Sequence, residues 1–159
     1  MGWPDLAKLV HVVVAIGFVT GLVGRWFILE RAARAEEVEL AYQLSQAASP
    51  FERLVIWASG LVLPAGLLTA WAQGYSWLGL TTGWMLLSVG LLLSIFVLVP
   101  LVFLPRGKVF EEAMSGARLA GAMTPELRAA FADPVVAFVH RYELTAVGIV
   151  VVLMILKPF

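Results

Sequence analysis

The residues of this sequence best suited to catalysis or ligand binding are titratable side chains that lie within long apolar stretches. His11 lies near the start of the first such stretch, three residues after Lys8. A neutral imidazole that faces the interior of a bundle is a good axial ligand for haem or copper, and a nearby ammonium group can hold a porphyrin propionate. The pair predicts a site for haem b, a porphyrin or a metal, with His11 as the ligand and Lys8, or else Lys157, as the accessory cation. The alternative is an interfacial histidine that hydrogen-bonds to a backbone carbonyl.

A second polar group surrounds His140 in the last apolar stretch. Arg141 and Glu143 follow it, and Arg25 lies at the corresponding depth of the first stretch. His140 and Glu143 share one helix face, whereas Arg141 points about 100° away. Because an unpaired charge in a membrane is costly, we expect Glu143 to pair with Arg25. These four residues form a candidate intramembrane polar cluster, which either accepts protons or a ligand, or locks the first helix to the last as a salt bridge.

The composition places these groups in a membrane. The chain is 61% hydrophobic and 14% charged, whereas a soluble domain is roughly 45–50% apolar and about 25% charged. A formal net charge of zero without a basic block argues against a nucleic-acid partner. The absence of cysteine excludes disulfides, thiolate metal sites and cysteine nucleophiles. The partner that the composition predicts is the lipid bilayer.

Four apolar stretches are long enough to span a bilayer, which needs about 20 residues. They cover approximately residues 6–29, 54–72, 85–104 and 135–156. The sequence therefore predicts an all-α integral membrane protein, an antiparallel bundle of four transmembrane helices with helical cytoplasmic extensions. We expect it to be a single transmembrane domain over residues 1–159.

The segments between the spans carry helix signals of their own. The first helix is predicted to continue to about Gln46, and a new helix to start at Pro50 with Ser49 as its N-cap. A short amphipathic piece over residues 108–118 is expected to be broken by glycines in and next to it, Gly116 and Gly107. Thr124 is predicted to cap a second short helix that ends before Pro134.

Glycines in the first span predict a close helix neighbour. Gly17, Gly21 and Gly24 lie on one side of the helix at GxxxG-like spacing. Small residues at this spacing allow two helix backbones to approach closely in a membrane. The sequence does not say which helix takes this place.

The distribution of basic residues predicts the orientation. Nine of the eleven lysines and arginines lie at one side of the membrane, and only Lys8 and Lys157 lie at the other. Since basic loops remain in the cytoplasm, both termini are expected on the non-cytoplasmic side. The predicted location is the cell membrane of a bacterium, in multi-pass form.

The same topology separates the two histidines. His11 and His140 are expected at opposite sides of the membrane, roughly 10–20 Å apart along its normal. Two histidines on one haem iron must be about 4 Å apart, from metal–nitrogen distances of about 2 Å. A haem shared by both histidines of one chain is therefore not expected.

The two ends of the chain carry a family resemblance. "DLAKLVHVVVAIGFVTGLVGRWFILERA" at the head and "VVVLMILKP" at the tail resemble a bacterial family of predicted four-helix integral membrane proteins, domain of unknown function 2269. That family is distantly similar to the HemJ-type protoporphyrinogen oxidases and to the copper-resistance D family, through an L-K-x-x-H-like opening matched here by Lys8 and His11. In HemJ-type proteins the first-helix histidine acts in haem binding together with a lysine in a later helix. This chain has no lysine between Arg53 and Arg106, so the resemblance implies single-histidine haem or metal binding at His11 and not protoporphyrinogen oxidation.

Two classes of function are compatible with the sequence, and neither one establishes whether the chain is an enzyme. The first is a cofactor-binding membrane protein with its site at His11. The second is a non-catalytic accessory or structural subunit of a larger membrane complex, or a small homo-oligomer. A transporter or channel has less support because no inverted repeat is visible. A metalloprotease is not supported, since no H-E-x-x-H motif occurs.

Overall fold

The structure, a computed structural model, describes residues 2–158 and is all-α over that range. Its helices are α1 (Trp3–Ala33), α2 (Val38–Ala72), α3 (Gly83–Leu98), α4 (Leu104–Ala120), α5 (Pro125–Phe131) and α6 (Pro134–Leu156). A 3-10 turn over Ser76–Gly79 lies between α2 and α3, and a π turn over Val99–Phe103 joins α3 directly to α4.

Four of the helical segments are long and apolar enough to cross a membrane. They are α1, α2, the continuous α3–α4 segment of 38 residues, and the segment that ends with α6. A helix of 35 residues such as α2 is about 52 Å long and exceeds the roughly 30 Å hydrocarbon core. The predicted four-helix bundle with helical extensions is confirmed. We call the end that contains Gly2 and Lys157 the terminal end, and the end that contains Arg34 and α5 the basic end.

α1 and α2 form an antiparallel hairpin around the glycines of α1. A Cβ atom at Gly21 would lie 2.8 Å from Cγ2 of Val55 and 3.0 Å from the carbonyl oxygen of Phe51, and one at Gly24 would lie 2.3 Å from the Phe51 ring. Only a residue without a side chain fits at these two positions. The close neighbour that the glycine spacing predicts is therefore α2.

All four spanning helices meet in one apolar core at mid-membrane. α3 packs against α6, and this pair meets the α1–α2 hairpin through side chains of all four helices. The buried members are Phe18, Leu22, Val55, Ala58, Leu92, Ile95, Ala146, Val147 and Val150. The core separates the polar groups of the terminal end from those of the basic end.

A second, smaller core lies at the basic end beyond the spans. It joins the start of α2, α4 and α5 through six buried residues, Ala35, Val38, Ala41, Met114, Ala117 and Leu127. The hydroxyl of Thr124 accepts a hydrogen bond from the Leu127 amide, which confirms this residue as the N-cap of α5. Asp133 caps α6 by accepting from the amides of Val135 and Val136, and it also pairs with Arg106.

Two predicted element boundaries are wrong. α1 ends at Ala33 and not near Gln46, and α2 begins at Val38 and continues through Pro50. A proline inside a helix costs about 3 kcal/mol, but the extended α2 buries Val38 and Ala41 against α4. Packing at a distance along the chain thus overrides the local start signal at Ser49.

α4 is also continuous where the glycines predict interruptions. Gly107 and Gly116 both lie inside the helix, which ends at Ala120 and is followed by Gly121 with a φ of 67°. A glycine in a helix costs only about 1 kcal/mol relative to alanine. The burial of Met114 and Ala117 in the second core offsets that cost.

Candidate functional site

His11 packs against the backbone of α2 in the terminal half of the hairpin. A Cβ atom at Gly66 would lie 3.0 Å from Cε1 and 3.4 Å from Nδ1 of the imidazole. The ring therefore occupies space that any other residue at position 66 would fill. Its Nδ1 is buried and has no hydrogen-bond partner of standard geometry among the described residues, although the imidazole lies within interaction range of the Val62 backbone.

One turn closer to the terminal end, a buried hydroxyl connects the same two helices. Oγ1 of Thr69 lies 3.0 Å from the carbonyl oxygen of Ala7 and 2.8 Å from that of Ala65. The hydroxyl has one proton to donate, so the two carbonyls share it. This contact fixes the separation and register of α1 and α2 beside His11.

The two lysines of the terminal end differ in their surroundings. Lys8 is exposed on α1. Lys157 lies with its ammonium 5.7 Å from the ring centroid of Tyr75 and 5.6 Å from that of Trp84, and it donates to the Tyr75 hydroxyl at 3.5 Å. Lys157 therefore contacts the α2–α3 connection at the end of α6. Lys8 lies on the same helix as His11, so of the two lysines it is the one positioned beside the histidine in sequence.

The polar cluster of the basic half is assembled from α1 and α6. Nη2 of Arg25 lies 3.1 Å from Oε2 of Glu143 and 3.4 Å from Nδ1 of His140, and that Nδ1 lies 3.4 Å from the same carboxylate oxygen. Glu143 is only 2% exposed. The predicted ion pair between Arg25 and Glu143 is confirmed. The Nδ1 of His140 either accepts from Arg25 or, when protonated, donates to Glu143, so the cluster has two hydrogen-bonding arrangements.

Phe103 also packs against this cluster, a contact that the sequence does not predict. Its ring centroid lies 5.0 Å from the guanidinium carbon of Arg25 and 4.9 Å from the imidazole centroid of His140. Phe103 is the last residue of the π turn that contains Pro100. Turns of this kind occur often at functional sites, and Pro100 is the one sequence signal for it.

Arg141 does not belong to the cluster. Its side chain is exposed, whereas its neighbours His140 and Glu143 face Arg25. A helix rotates about 100° per residue, which directs Arg141 away from α1. The next residue, Tyr142, instead forms a hydrogen bond of 2.5 Å with Ser94 of α3.

The two histidines lie at separate depths, as the topology predicts. His140 contacts Arg25, which follows His11 by fourteen residues in the same helix, an axial separation of about 21 Å. No group of three or more histidine, aspartate or glutamate side chains within residues 2–158 is arranged to hold a metal ion.

The chain is similar to a family of membrane proteins. The family model described as "Predicted integral membrane protein (DUF2269)" matches residues 5–158, which include His11 and the whole polar cluster. No curated protein and no solved structure matches the chain.

Proposed function

From the premise that this chain belongs to the DUF2269 family of predicted integral membrane proteins, we propose that it binds haem b through His11. The observation that carries the proposal is the buried Nδ1 of His11, which has no partner among the described residues. Arg25, His140 and Glu143 are partners of one another, although Nε of Arg25 is likewise buried without a partner among the described residues. Ionisable groups inside a membrane usually mark a function, and a buried polar atom without a partner requires an explanation.

The available donors favour a porphyrin over a bare metal ion. A metal held by the protein alone needs three or four side-chain ligands, and the described residues offer no such group. Haem brings four nitrogen ligands and takes an axial histidine from the protein. When bound, haem would supply one-electron chemistry.

Other residues of the chain would orient this ligand. Gly66 lets the imidazole lie on the α2 backbone, and Thr69 holds α2 against Ala7. Lys8, one turn from His11 toward the terminal end, would pair with a propionate at the membrane surface.

The test is an absorption titration of the detergent-purified protein with haemin, before and after reduction by dithionite. We expect a saturable Soret band that shifts on reduction, and a loss of affinity of at least about tenfold in His11→Ala, which corresponds to roughly 1.4 kcal/mol. His140→Gln is the matched control, because it removes the only other imidazole of the chain.

Each outcome of the titration has one meaning. A band that depends on His11 and not on His140 supports the proposal. A band that depends on His140 would move the site to the polar cluster, and a protein that stays colourless with excess haemin would rule out haem binding.

The second candidate function is a non-catalytic accessory subunit or a small homo-oligomer. It is favoured by the pairing within the polar cluster, which joins α1 to α6 and gives these charges a structural role. On this alternative, the purified protein is colourless, and His11→Ala changes neither its spectrum nor its association with larger proteins.

We further propose that the protein lies in a bacterial cell membrane with both termini on the non-cytoplasmic side. The positive-inside rule supports this orientation, since nine of the eleven basic residues lie toward the basic end and only Lys8 and Lys157 lie toward the terminal end. Alkaline phosphatase fused after residue 159 should be active, and green fluorescent protein fused there should be dark. The opposite pair of results would place the termini in the cytoplasm.

A further inference from the structure

The 3-10 turn between α2 and α3 has a backbone conformation that bulky residues rarely adopt. Trp77, Leu78 and Gly79 are three successive residues with positive φ, at 49°, 59° and 80°. Glycine takes this left-handed conformation at little cost, whereas in other residues the Cβ atom comes too close to the following carbonyl oxygen. Trp77 and Leu78 therefore cost free energy in this turn, and contacts elsewhere have to offset that cost.

Contacts within the protein hold the backbone of the turn at Gly79. The carbonyl oxygen of Gly79 accepts hydrogen bonds from the hydroxyl and the amide of Thr82, at 2.6 and 3.0 Å. A Cβ atom at Gly79 would lie 3.1 Å from Cε of Met85. The amide of Leu80 donates to the carbonyl oxygen of Trp77 at 3.1 Å. These contacts fix the backbone of the turn, and none of them uses the Trp77 side chain.

The protein does not bury the Trp77 ring. Its side chain is 83% exposed, the highest value among the six tryptophans. Leu78 is exposed beside it, and Leu68 and Trp71 are exposed on the last turns of α2. Exposed apolar side chains on a spanning helix are covered by lipid. An apolar surface therefore continues along the chain from the lipid-facing residues of α2 into the turn.

The charges near the turn indicate its depth. No aspartate, glutamate, lysine or arginine occurs over residues 54–105, so the turn itself is uncharged. The ammonium of Lys157 lies 5.7 Å from the ring centroid of Tyr75, two residues before Trp77. Lysines at the end of a span place their ammonium group at the membrane surface, where tryptophan and tyrosine are also enriched. Lys157 thus marks the membrane surface beside the turn.

These observations assign a partner to the exposed ring. We propose that the turn between α2 and α3 is an anchor in the phospholipid headgroup region at the terminal end, with Trp77 inserted among the headgroups. Tryptophan suits this boundary because its ring is apolar and its indole N–H donates a hydrogen bond. The contact with lipid offsets the cost of the left-handed residues and fixes the depth of α2 and α3 in the membrane.

A soluble partner protein is the main alternative, because tryptophan is also enriched at the centres of protein interfaces. Charged groups steer soluble partners to each other and select between them, and this turn has none. Its exposed side chains instead continue those of a lipid-covered helix. The lipid headgroups are therefore the occupant that the charge pattern favours, and zwitterionic lipid is sufficient.

The test uses the absence of native cysteine. Ser76 is exposed next to Trp77, and Ser76→Cys in the full chain is spin-labelled in nanodiscs of zwitterionic lipid. The accessibility of the label is measured to oxygen, which partitions into the bilayer, and to a water-soluble nickel complex. Ile16→Cys, exposed in the middle of α1, is the reference for hydrocarbon, and Leu119→Cys, exposed on α4 near the second core, is the reference for water. We expect the Ser76 label between the two references.

Two tryptophans provide matched variants in the Ser76→Cys chain. Trp77→Ala should shift the accessibility of the label toward that of the Leu119 reference, because the turn loses its contact with the headgroups. Trp57→Ala removes another exposed tryptophan of α2. Trp57 precedes the end of the helix at Ala72 by fifteen residues, about 22 Å, so this variant should leave the label where it is.

Three results would overturn the proposal. A Ser76 label that is as accessible to the nickel complex as the Leu119 label would place the turn in water, where only a soluble partner could cover Trp77. Equal effects of Trp77→Ala and Trp57→Ala, or no effect of either, would show that Trp77 does not hold the turn at its depth. Spin–spin broadening between two Ser76 labels in one nanodisc would assign the turn to contact with a second copy.

Discussion

Replacing Arg25 with methionine should lower the free energy of unfolding by about 3–5 kcal/mol, the usual cost when one partner of a buried ion pair is removed. The reason is Glu143, which is only 2% exposed and would be left with His140 as its only polar neighbour in the cluster. The midpoint of denaturant-induced unfolding in detergent measures the change.

Two further variants separate the ion pair from packing. The double variant Arg25→Met/Glu143→Leu should recover much of the lost stability, because it leaves no buried charge without a partner. Arg34→Ala removes an exposed ion pair with Glu30, whose side chains are 75% and 47% exposed, and should change the stability by less than about 1 kcal/mol. Equal stability of Arg25→Met and the wild type would show that the pair does not lock α1 to α6.

Gly21→Ala is expected to destabilise the protein by about 1–3 kcal/mol, the usual cost of overpacking a core. The added Cβ would lie 3.0 Å from both the carbonyl oxygen of Phe51 and the amide nitrogen of Val55. Because these are backbone atoms, no side-chain rotation relieves the contact, and α1 and α2 must separate. The same unfolding midpoint measures the loss.

Gly60→Ala is the control for this substitution. Gly60 also lies in a spanning helix, α2, but a Cβ there meets nothing within 4 Å. Alanine is favoured over glycine in a helix by about 1 kcal/mol, so this variant should be neutral or more stable. If both variants changed stability in the same direction, the tight contact at Gly21 would not control the packing of the hairpin.

The parts of the fold that depend on hydrophobic composition and on the depth of each residue in the membrane could be predicted from the sequence. A bilayer requires about 20 apolar residues per span, so the four spans could be recognised without knowing their neighbours. The pairing of Arg25 with Glu143 followed in the same way. Two opposite charges at the same depth are far more favourable together than apart, and the topology placed both near the basic end.

The rest depends on helix rotation and on contacts between residues that are distant in sequence. The glycines of α1 predicted a close neighbour, but only the tertiary structure identifies Phe51 and Val55 of α2. Local signals at Ser49 and Pro50 predicted a helix start, which the packing of α2 on α4 overrides. The burial of the His11 imidazole and its Nδ1 against Gly66 of α2 is also apparent only in the tertiary structure.

The number of spans, the depth of each polar residue and the charge asymmetry between the two ends follow from the amino-acid sequence alone, because the free energy of transfer into a membrane is a sum over individual residues. Only the tertiary structure brought Phe103 to Arg25 and His140 and turned Arg141 away. These features depend on how each helix is rotated and where the π turn shifts that rotation, and rotation is set by the packing of all helices together.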